Sequence, residues 1–167
     1  MEYKSKVIAI TALCAGYCHQ LETCRDSEPE DFVKEMLNYL PRLYLAFSDT
    51  VPESGLLNEE DEYFESYVDE DFYDSIRRNV ELVLGPDDTF LETFEENMKY
   101  SDTPIAASIS ECLADIFQPL FNFISIVKDT DGEKADAAYR ECHENFEGYW
   151  AQTLCNVLRA LNNIRYK

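Results

Sequence analysis

Apolar residues recur at intervals of three and four along most of the chain, which is the spacing of α-helices that bury one face. No stretch shows the sustained alternation of apolar and polar residues that is typical of β-strands. These apolar stripes predict six helices, which cover residues 5–25, 28 to about 48, 69–84, a short stretch from 87 or 88, 104 to about 127, and 133–165. The short fourth helix carries Phe90, Phe94 and Met98.

Three local signals support these helix ends. The stretch SEPE places Ser27 as an N-cap with Glu30 three residues later, the pattern of a capping box. Gly85 and Pro86 form a strong terminator for the third helix. The pair at 103–104, Thr-Pro, is typical of an N-cap followed by the first helical residue.

Two prolines fall inside predicted helices instead of at their ends. Pro41 and Pro119 each remove a backbone donor and clash with the preceding turn, so both helices should be kinked. The chain, at 167 residues with 46% hydrophobic residues, is long enough to bury one core. The prediction is therefore a single all-α domain over residues 1–167, a bundle of six or seven helices, two of them kinked.

The net charge of the chain limits the kinds of molecule that it is expected to bind. The net charge is −20, and the segment 49–102 holds 18 acidic residues against three basic ones, a net −15. Such a chain is repelled by phosphate, which argues against binding to nucleic acid and to anionic membrane surfaces. A basic protein surface is the favoured partner, and the sequence leaves the oligomeric state open.

Aromatic residues are interleaved with the acids at the centre of the acidic segment. Aromatic side chains supply contact area and acids supply steering, a combination suited to a basic protein surface. The leading prediction is a non-enzymatic interaction or adaptor protein, and an acidic face that is merely solvated is the alternative. The predicted interaction residues are Glu59, Glu60, Asp61, Glu62, Tyr63, Phe64, Tyr67, Asp69, Glu70, Asp71, Phe72 and Tyr73.

The stretch CAGYCHQLETC could bind a metal, form a redox-active pair of cysteines, or form one wall of a helical core. Cys14 and Cys18 share a helical face, but a metal would need further ligands from another element, and Cys142 with His143 are the obvious candidates. The CxxC spacing of zinc and redox motifs is absent. Because free cysteine usually behaves as a small buried apolar residue, the prediction is a helix wall, with a metal site and a disulfide as alternatives.

Four carboxylates suggest an enzymatic alternative. All-helical nucleotide pyrophosphohydrolases hold magnesium with Glu-x-x-Glu on one helix and Glu-x-x-Asp on the next. Glu92 and Glu95 match the first half, whereas Glu111 and Asp115 are one residue too far apart for the second. A magnesium-dependent enzyme of this kind is the alternative function. Because such spacings arise by chance in a chain with 34 acids, no metal and no cofactor is predicted.

The segments SISECLADIFQPL and AAYRECHENFEGYWAQTLCNVLRALNNI resemble two parts of a bacterial family of unknown function, the one numbered 5063. The similarity rests on Leu-Ala-Asp-Ile-Phe at 113–117, Trp150 and Leu-Arg-Ala-Leu at 158–161. Gly-Tyr-Trp-Ala stands at 148–151 where the family pattern has His-Trp-Gly, which puts any polar site of the relatives in doubt here. The resemblance implies an all-helical bacterial cytoplasmic domain and supplies no activity.

Three residues of the resembling segments have a structural prediction of their own. Asp115, Trp150 and Arg159 flank apolar stripes on two helices that should pack together. An ion pair or a helix-to-helix hydrogen bond between Asp115 and Arg159 would fix the register of the helices. The alternative is that these residues form one polar wall of a ligand pocket.

The N-terminal run KSKVIAITALCAG has the outline of a signal peptide. Lipoprotein-type cleavage needs a small residue before the cysteine, but Leu13 and Tyr17 precede Cys14 and Cys18. The apolar spacing also continues to Leu21, as in a helix that belongs to a core. A cytoplasmic location is therefore predicted.

Overall fold

The computed structural model describes residues 2–53, 63–92 and 105–167. Its helices are α1 (Tyr3–Thr23), α2 (Pro29–Asp49), α3 (Glu70–Leu84), α4 (Ile109–Asp129), α5 (Ala135–Asn145) and α6 (Ala151–Arg165). A π-helical segment, Phe146–Trp150, joins α5 to α6 without a break, so the described residues form five long helical rods instead of six or seven. The predicted all-α class is confirmed. None of the described helices has the length and apolar character that crossing a membrane requires.

Helix α4 lies at the centre of the bundle. It packs against α1, α3, α5 and α6, while α2 packs mainly against α1 and α6. The reason is its composition, because ten of its side chains are buried and they cover more than one face. Burying a large aliphatic or aromatic side chain contributes roughly 1.5–3 kcal/mol, so α4 supplies much of the driving force for assembly.

A short hairpin precedes α4. Strands β1 (Thr89–Leu91) and β2 (Ala106–Ser108) pair antiparallel, with Thr89 opposite Ser108 and Leu91 opposite Ala106. The predictions of helix through Phe90 and of helix from residue 104 are therefore wrong at 89–91 and 105–108. Residues 93–104, which include Phe94, Met98 and the Thr-Pro pair, lie outside the described part of the chain. Apolar spacing alone does not reveal a strand whose partner is about 15 residues away.

Helix α2 begins in a different way from the prediction. Pro29 is its first residue and Glu28 its N-cap, without a side-chain cap, so the predicted capping role of Ser27 is wrong. The backbone N–H of Ser27 instead donates to the carbonyl of Cys24, closing a 3₁₀ turn. Proline starts a helix readily because its φ is already helical and it has no N–H to leave unpaired. Pro41 and Pro119 lie inside α2 and α4, as predicted.

The π-helical segment has an explanation in the spacing of core residues. Cys142, Phe146, Trp150 and Leu154 are all buried, and each follows the previous one by four residues. In an α-helix, at about 100° per residue, each such step overshoots a full turn by about 40°. The wider winding of the π segment, in which the N–H of Ala151 donates to the carbonyl of Phe146, removes that drift. The predicted continuous α-helix over 133–165 is wrong at this point.

Candidate functional site

Two polar stripes line a cavity of about 340 Å³ between α4 and the rod formed by the π segment and α6. One stripe runs from β2 into α4 and comprises Ser108, Glu111, Cys112 and Asp115. The other comprises Tyr149, Gln152, Thr153 and Asn156. Both follow the spacing i, i+3, i+4, i+7, which places their side chains on one helical face. Glu92, which follows β1, completes the polar lining.

Two of the carboxylates in this cavity accept hydrogen bonds from neutral donors. Glu92 is only 8% exposed, and its Oε2 accepts a hydrogen bond of 2.9 Å from Nδ2 of Asn156. Asp115 accepts two tyrosine hydroxyls, Tyr73 on Oδ1 at 2.6 Å and Tyr149 on Oδ2 at 3.1 Å. With Glu111, three carboxylates line the cavity.

This concentration of negative charge changes the acidity of neighbouring groups. Burial, together with the charges of Glu92 and Asp115, raises the pKa of the Cys112 thiol to about 12. The pKa of Tyr73 is raised as well, first by burial and then by its hydrogen bond to Asp115. Cys112 is therefore a neutral thiol at physiological pH and not an activated nucleophile, and Tyr73 stays a hydrogen-bond donor.

The start of α4 is fixed by two caps that aim the polar stripe into the cavity. The side chain of Ser108 accepts the backbone N–H of Glu111 at 3.2 Å. Asp88, at the end of the turn before β1, accepts both the N–H and the hydroxyl of Ser110 at 2.7 Å each. A carboxylate at a helix N-terminus satisfies unpaired N–H groups and interacts favourably with the helix dipole. The sequence predicts Asp87 or Asp88 as the cap of a helix through Phe90, and this is wrong, because Asp88 caps α4 through Ser110, 22 residues away.

The second stripe was also missed. Tyr149, Gln152 and Asn156 are uncharged and stood out neither as metal ligands nor as partner-binding residues. Their helical spacing on the last rod, opposite the spacing from Ser108 to Asp115, was the available signal. Only the packing of α4 against α6 turns the two patterns into one cavity.

The structure brings three of the four candidate magnesium ligands of the alternative function into this cavity. Glu92, Glu111 and Asp115 line it, and Glu95 falls in the part of the chain that is not described. Among the described residues, no three His, Cys, Asp or Glu side chains are arranged to hold a metal ion.

The cysteine-rich stretch forms a wall of the core. Cys14, Cys18 and Cys142 are buried, and burial raises the pKa of each thiol well above its usual value. All six cysteines are free, so the alternative of a disulfide is not met. His143 is bonded elsewhere, with Nε2 at 3.1 Å from the carbonyl of Phe47 and Nδ1 at 3.1 Å from a carboxylate oxygen of Glu147. These residues do not make a metal site.

The predicted interaction residues divide into inward and outward groups. Phe72 contacts the rings of Phe117 and Phe121, and Tyr73 binds Asp115. Both side chains are half-buried and pack against the core, which explains their place among the acids by the helical spacing of α3.

The remaining interaction residues lie mainly at the surface. Tyr63 is 87% exposed, and Glu70 and Asp71 are exposed in the first turn of α3. Asp69 caps that helix by accepting the N–H of Phe72. Phe64 lies below the ammonium group of Lys134, and the hydroxyl of Tyr67 donates to Asp129. Glu59, Glu60, Asp61 and Glu62 fall outside the described ranges.

The predicted pairing of Asp115 with Arg159 is not made. Arg159 donates from Nη2 to the carbonyl of Leu91 at 2.6 Å, which ties α6 to β1, while Asp115 binds the two tyrosines. Trp150 is fully buried, and its Nε1 donates to the carbonyl of Cys142 at 3.3 Å. Of the three residues, Asp115 alone lines the cavity.

Comparison with known proteins extends over the whole chain. The model of the family described as "Domain of unknown function (DUF5063)" matches residues 1–167. A solved structure, protein BF1032 from Bacteroides fragilis, is similar with a TM-score of 0.78 and 30% sequence identity, covering 97% of this chain and 96% of that one. No curated protein matches the chain.

Proposed function

Because this chain belongs to the DUF5063 family, whose description names no activity, we propose its function from the cavity itself. We propose a non-enzymatic interaction protein whose cavity between α4 and α6 receives a cationic side chain of a basic partner protein. One observation carries the proposal: Glu92, Glu111 and Asp115 line the same cavity.

The arrangement suits a cationic side chain for two physical reasons. Hydrogen bonds between a cation and a carboxylate are roughly twice as strong as those between neutral groups, and a half-enclosed cavity screens them less than open water does. The ring of Tyr149 is 57% exposed at the same site and offers an aromatic face to a cation. The net charge of −20 would steer a basic partner towards the chain before contact.

The magnesium-dependent enzyme is a second candidate, because the same three carboxylates are candidate ligands of that alternative. It has less support, since both oxygens of Asp115 and one of Glu92 already accept hydrogen bonds from neutral donors. A magnesium-dependent rise in melting temperature that disappears in Glu111→Gln, together with hydrolysis of a nucleoside triphosphate, would establish this function instead.

The proposed function is tested by affinity isolation from a host lysate. The bait is the wild-type chain, the double variant Glu111→Gln/Asp115→Asn, or Glu144→Gln, a control that removes an exposed charge outside the cavity. We expect basic proteins to be retained by the wild type and by the control, to be lost by the double variant, and to elute as salt rises.

Two outcomes would reject the proposal. One is recovery of partners without a basic bias. The other is retention of the same partners by the double variant while it remains folded by circular dichroism.

A further inference from the structure

Helix α1 is apolar on part of the side that it turns towards solvent as well as on the side that it buries. Ile8 is 71% exposed at the surface of this helix. The exposed side chains around it recur every three or four residues, so they lie along one side of α1. We call this surface the α1 face, and its residues are Lys4, Ile8, Ala12, Ala15, His19 and Glu22. A helix that is apolar on both sides is usually covered on both, so the α1 face is suited to a partner.

The charged residues of the α1 face lie at its two ends. Lys4 is in the first turn of α1 and Glu22 is in the last, about 27 Å apart along the helix axis. No Asp or Glu occurs in the sequence between residues 3 and 21. The chain carries a net charge of −20, so most pairs of surfaces from two copies repel each other. The centre of the α1 face adds nothing to that repulsion, and its ends have opposite charges.

We propose that the α1 face binds the α1 face of a second copy of this chain, with the two helices antiparallel. A two-fold axis through the middle of the face places Lys4 of each copy beside Glu22 of the other, which gives two ion pairs. The same axis places Ile8 of each copy over the small side chain of Ala15 of the other. This interface is separate from the cavity between α4 and α6 and does not depend on the function proposed for it.

The charges select the antiparallel arrangement over the parallel one. A parallel pair of helices would bring the two Lys4 side chains together at one end and the two Glu22 side chains together at the other. In the antiparallel pair, Glu22 also lies beside the N-terminus of the other copy's helix, where the helix dipole favours a negative charge. An interface only one helix wide is at the small end of protein interfaces, so we expect a reversible dimer that dissociates on dilution.

The first experiment locates the interface by sedimentation equilibrium of the full chain over a range of concentrations. Ile8→Asp places an acidic side chain at the apolar centre of the face, and because Ile8 is exposed the fold should be kept. Leu91→Asp is the matched control, since it adds the same charge at another exposed apolar side chain, on strand β1 beside α6. We expect the wild type and Leu91→Asp to form dimers with the same dissociation constant and Ile8→Asp to remain a monomer.

The second experiment exchanges the charges at the ends of the face. Lys4→Glu alone opposes two acids in each contact, and Glu22→Lys alone opposes two bases. Because each dimer has two such contacts, we expect either variant to dimerise about tenfold more weakly than the wild type. Both changes also follow the preference of the helix dipole for acids at the N-terminus and bases at the C-terminus, so neither should destabilise α1.

An equimolar mixture of Lys4→Glu and Glu22→Lys tests the antiparallel arrangement. In the mixed dimer, Glu at position 4 meets Lys at position 22, and Lys4 of the second variant meets Glu22 of the first. We therefore expect the mixture to recover the dissociation constant of the wild type although neither variant does so alone.

Three results would overturn the proposal. If the wild type is a monomer at every concentration, the α1 face does not bind a second copy. If Ile8→Asp, folded by circular dichroism, dimerises as well as the wild type, the dimer uses another surface. If the mixture associates no more tightly than the single variants, the helices are not paired antiparallel through Lys4 and Glu22.

Discussion

Replacing Asp88 by alanine should lower the free energy of unfolding much more than replacing its neighbour Asp87. The carboxylate is 7% exposed and accepts two hydrogen bonds of 2.7 Å, from the N–H and the hydroxyl of Ser110 in the first turn of α4. Asp88→Ala removes both bonds and leaves a buried N–H and a buried hydroxyl without these partners. It also removes a negative charge from the positive end of the central helix.

The size of the effect follows from these two bonds. A hydrogen bond to a charged group contributes about 1.5–3 kcal/mol, and the lower value for each bond gives a loss of about 3 kcal/mol in the free energy of unfolding. For a chain of this length, 1 kcal/mol corresponds to about 2–4 °C, so the melting temperature should fall by about 6–12 °C. Asp88→Asn retains one acceptor oxygen and should lose roughly half as much.

The neighbouring acid provides a matched control. Asp87 is partly exposed and pairs with Lys167, a contact between solvent-accessible charges that contributes at most about 1 kcal/mol. Urea unfolding followed by circular dichroism should rank the losses as Asp88→Ala, then Asp88→Asn, then Asp87→Ala. If Asp88→Ala and Asp87→Ala agree within 1 kcal/mol, the buried cap does not stabilise α4 and the reasoning is wrong.

Three further predictions concern thiols and glycines. At pH 8 only the exposed Cys155 should react rapidly with a disulfide reagent, because the other five cysteines are buried and the pKa of Cys112 is raised to about 12. Rapid reaction of two or more thiols per chain would contradict this. That raised pKa also means that Cys112 contributes stability below its unfolded pKa of about 8.5, which is lost as pH rises towards 12. Gly16→Ala should cost about 1 kcal/mol, because the new Cβ would lie 2.7 Å from the hydroxyl of Tyr39. At Gly148 a new Cβ would meet no atom of the described residues within 4 Å, so Gly148→Ala should gain about 0.5–1 kcal/mol; equal changes in urea unfolding would refute the steric argument.

The helices could be predicted because the spacing of apolar residues within each one is enough to identify it. On α2 the buried residues Phe32, Met36, Leu40, Leu43 and Phe47 recur at three and four, as a one-sided helix requires. The hairpin could not be predicted in this way, because β1 and β2 are stabilised by each other and not by their own spacing. The π segment is an intermediate case. The sequence shows the repeated four-residue spacing of apolar residues, but it does not show that the helix widens to accommodate that spacing.

The candidate site was predictable only in part. Charge singled out Glu92, Glu111 and Asp115, but the magnesium motif that drew attention to them does not explain how they are held. Their partners Tyr149 and Asn156 are neutral and come from a different rod, so the cavity exists only through tertiary packing. Conversely, Phe72 and Tyr73 are half-buried against the core, and the sequence does not show this because it does not show which face of α3 packs inward.

The π segment accommodates one residue more than a continuous α-helix would need to join α5 to α6. Removing one residue between Phe146 and Trp150 would let the rod close into a continuous α-helix, and the buried faces of α5 and α6 would stay aligned, because seven α-helical residues from Cys142 to Trp150 make almost two whole turns. A single-residue deletion at Gly148, which removes no buried side chain, should therefore leave the chain folded and change mainly the position of Tyr149 at the edge of the cavity. Relatives are therefore expected to tolerate the loss of one residue in this segment.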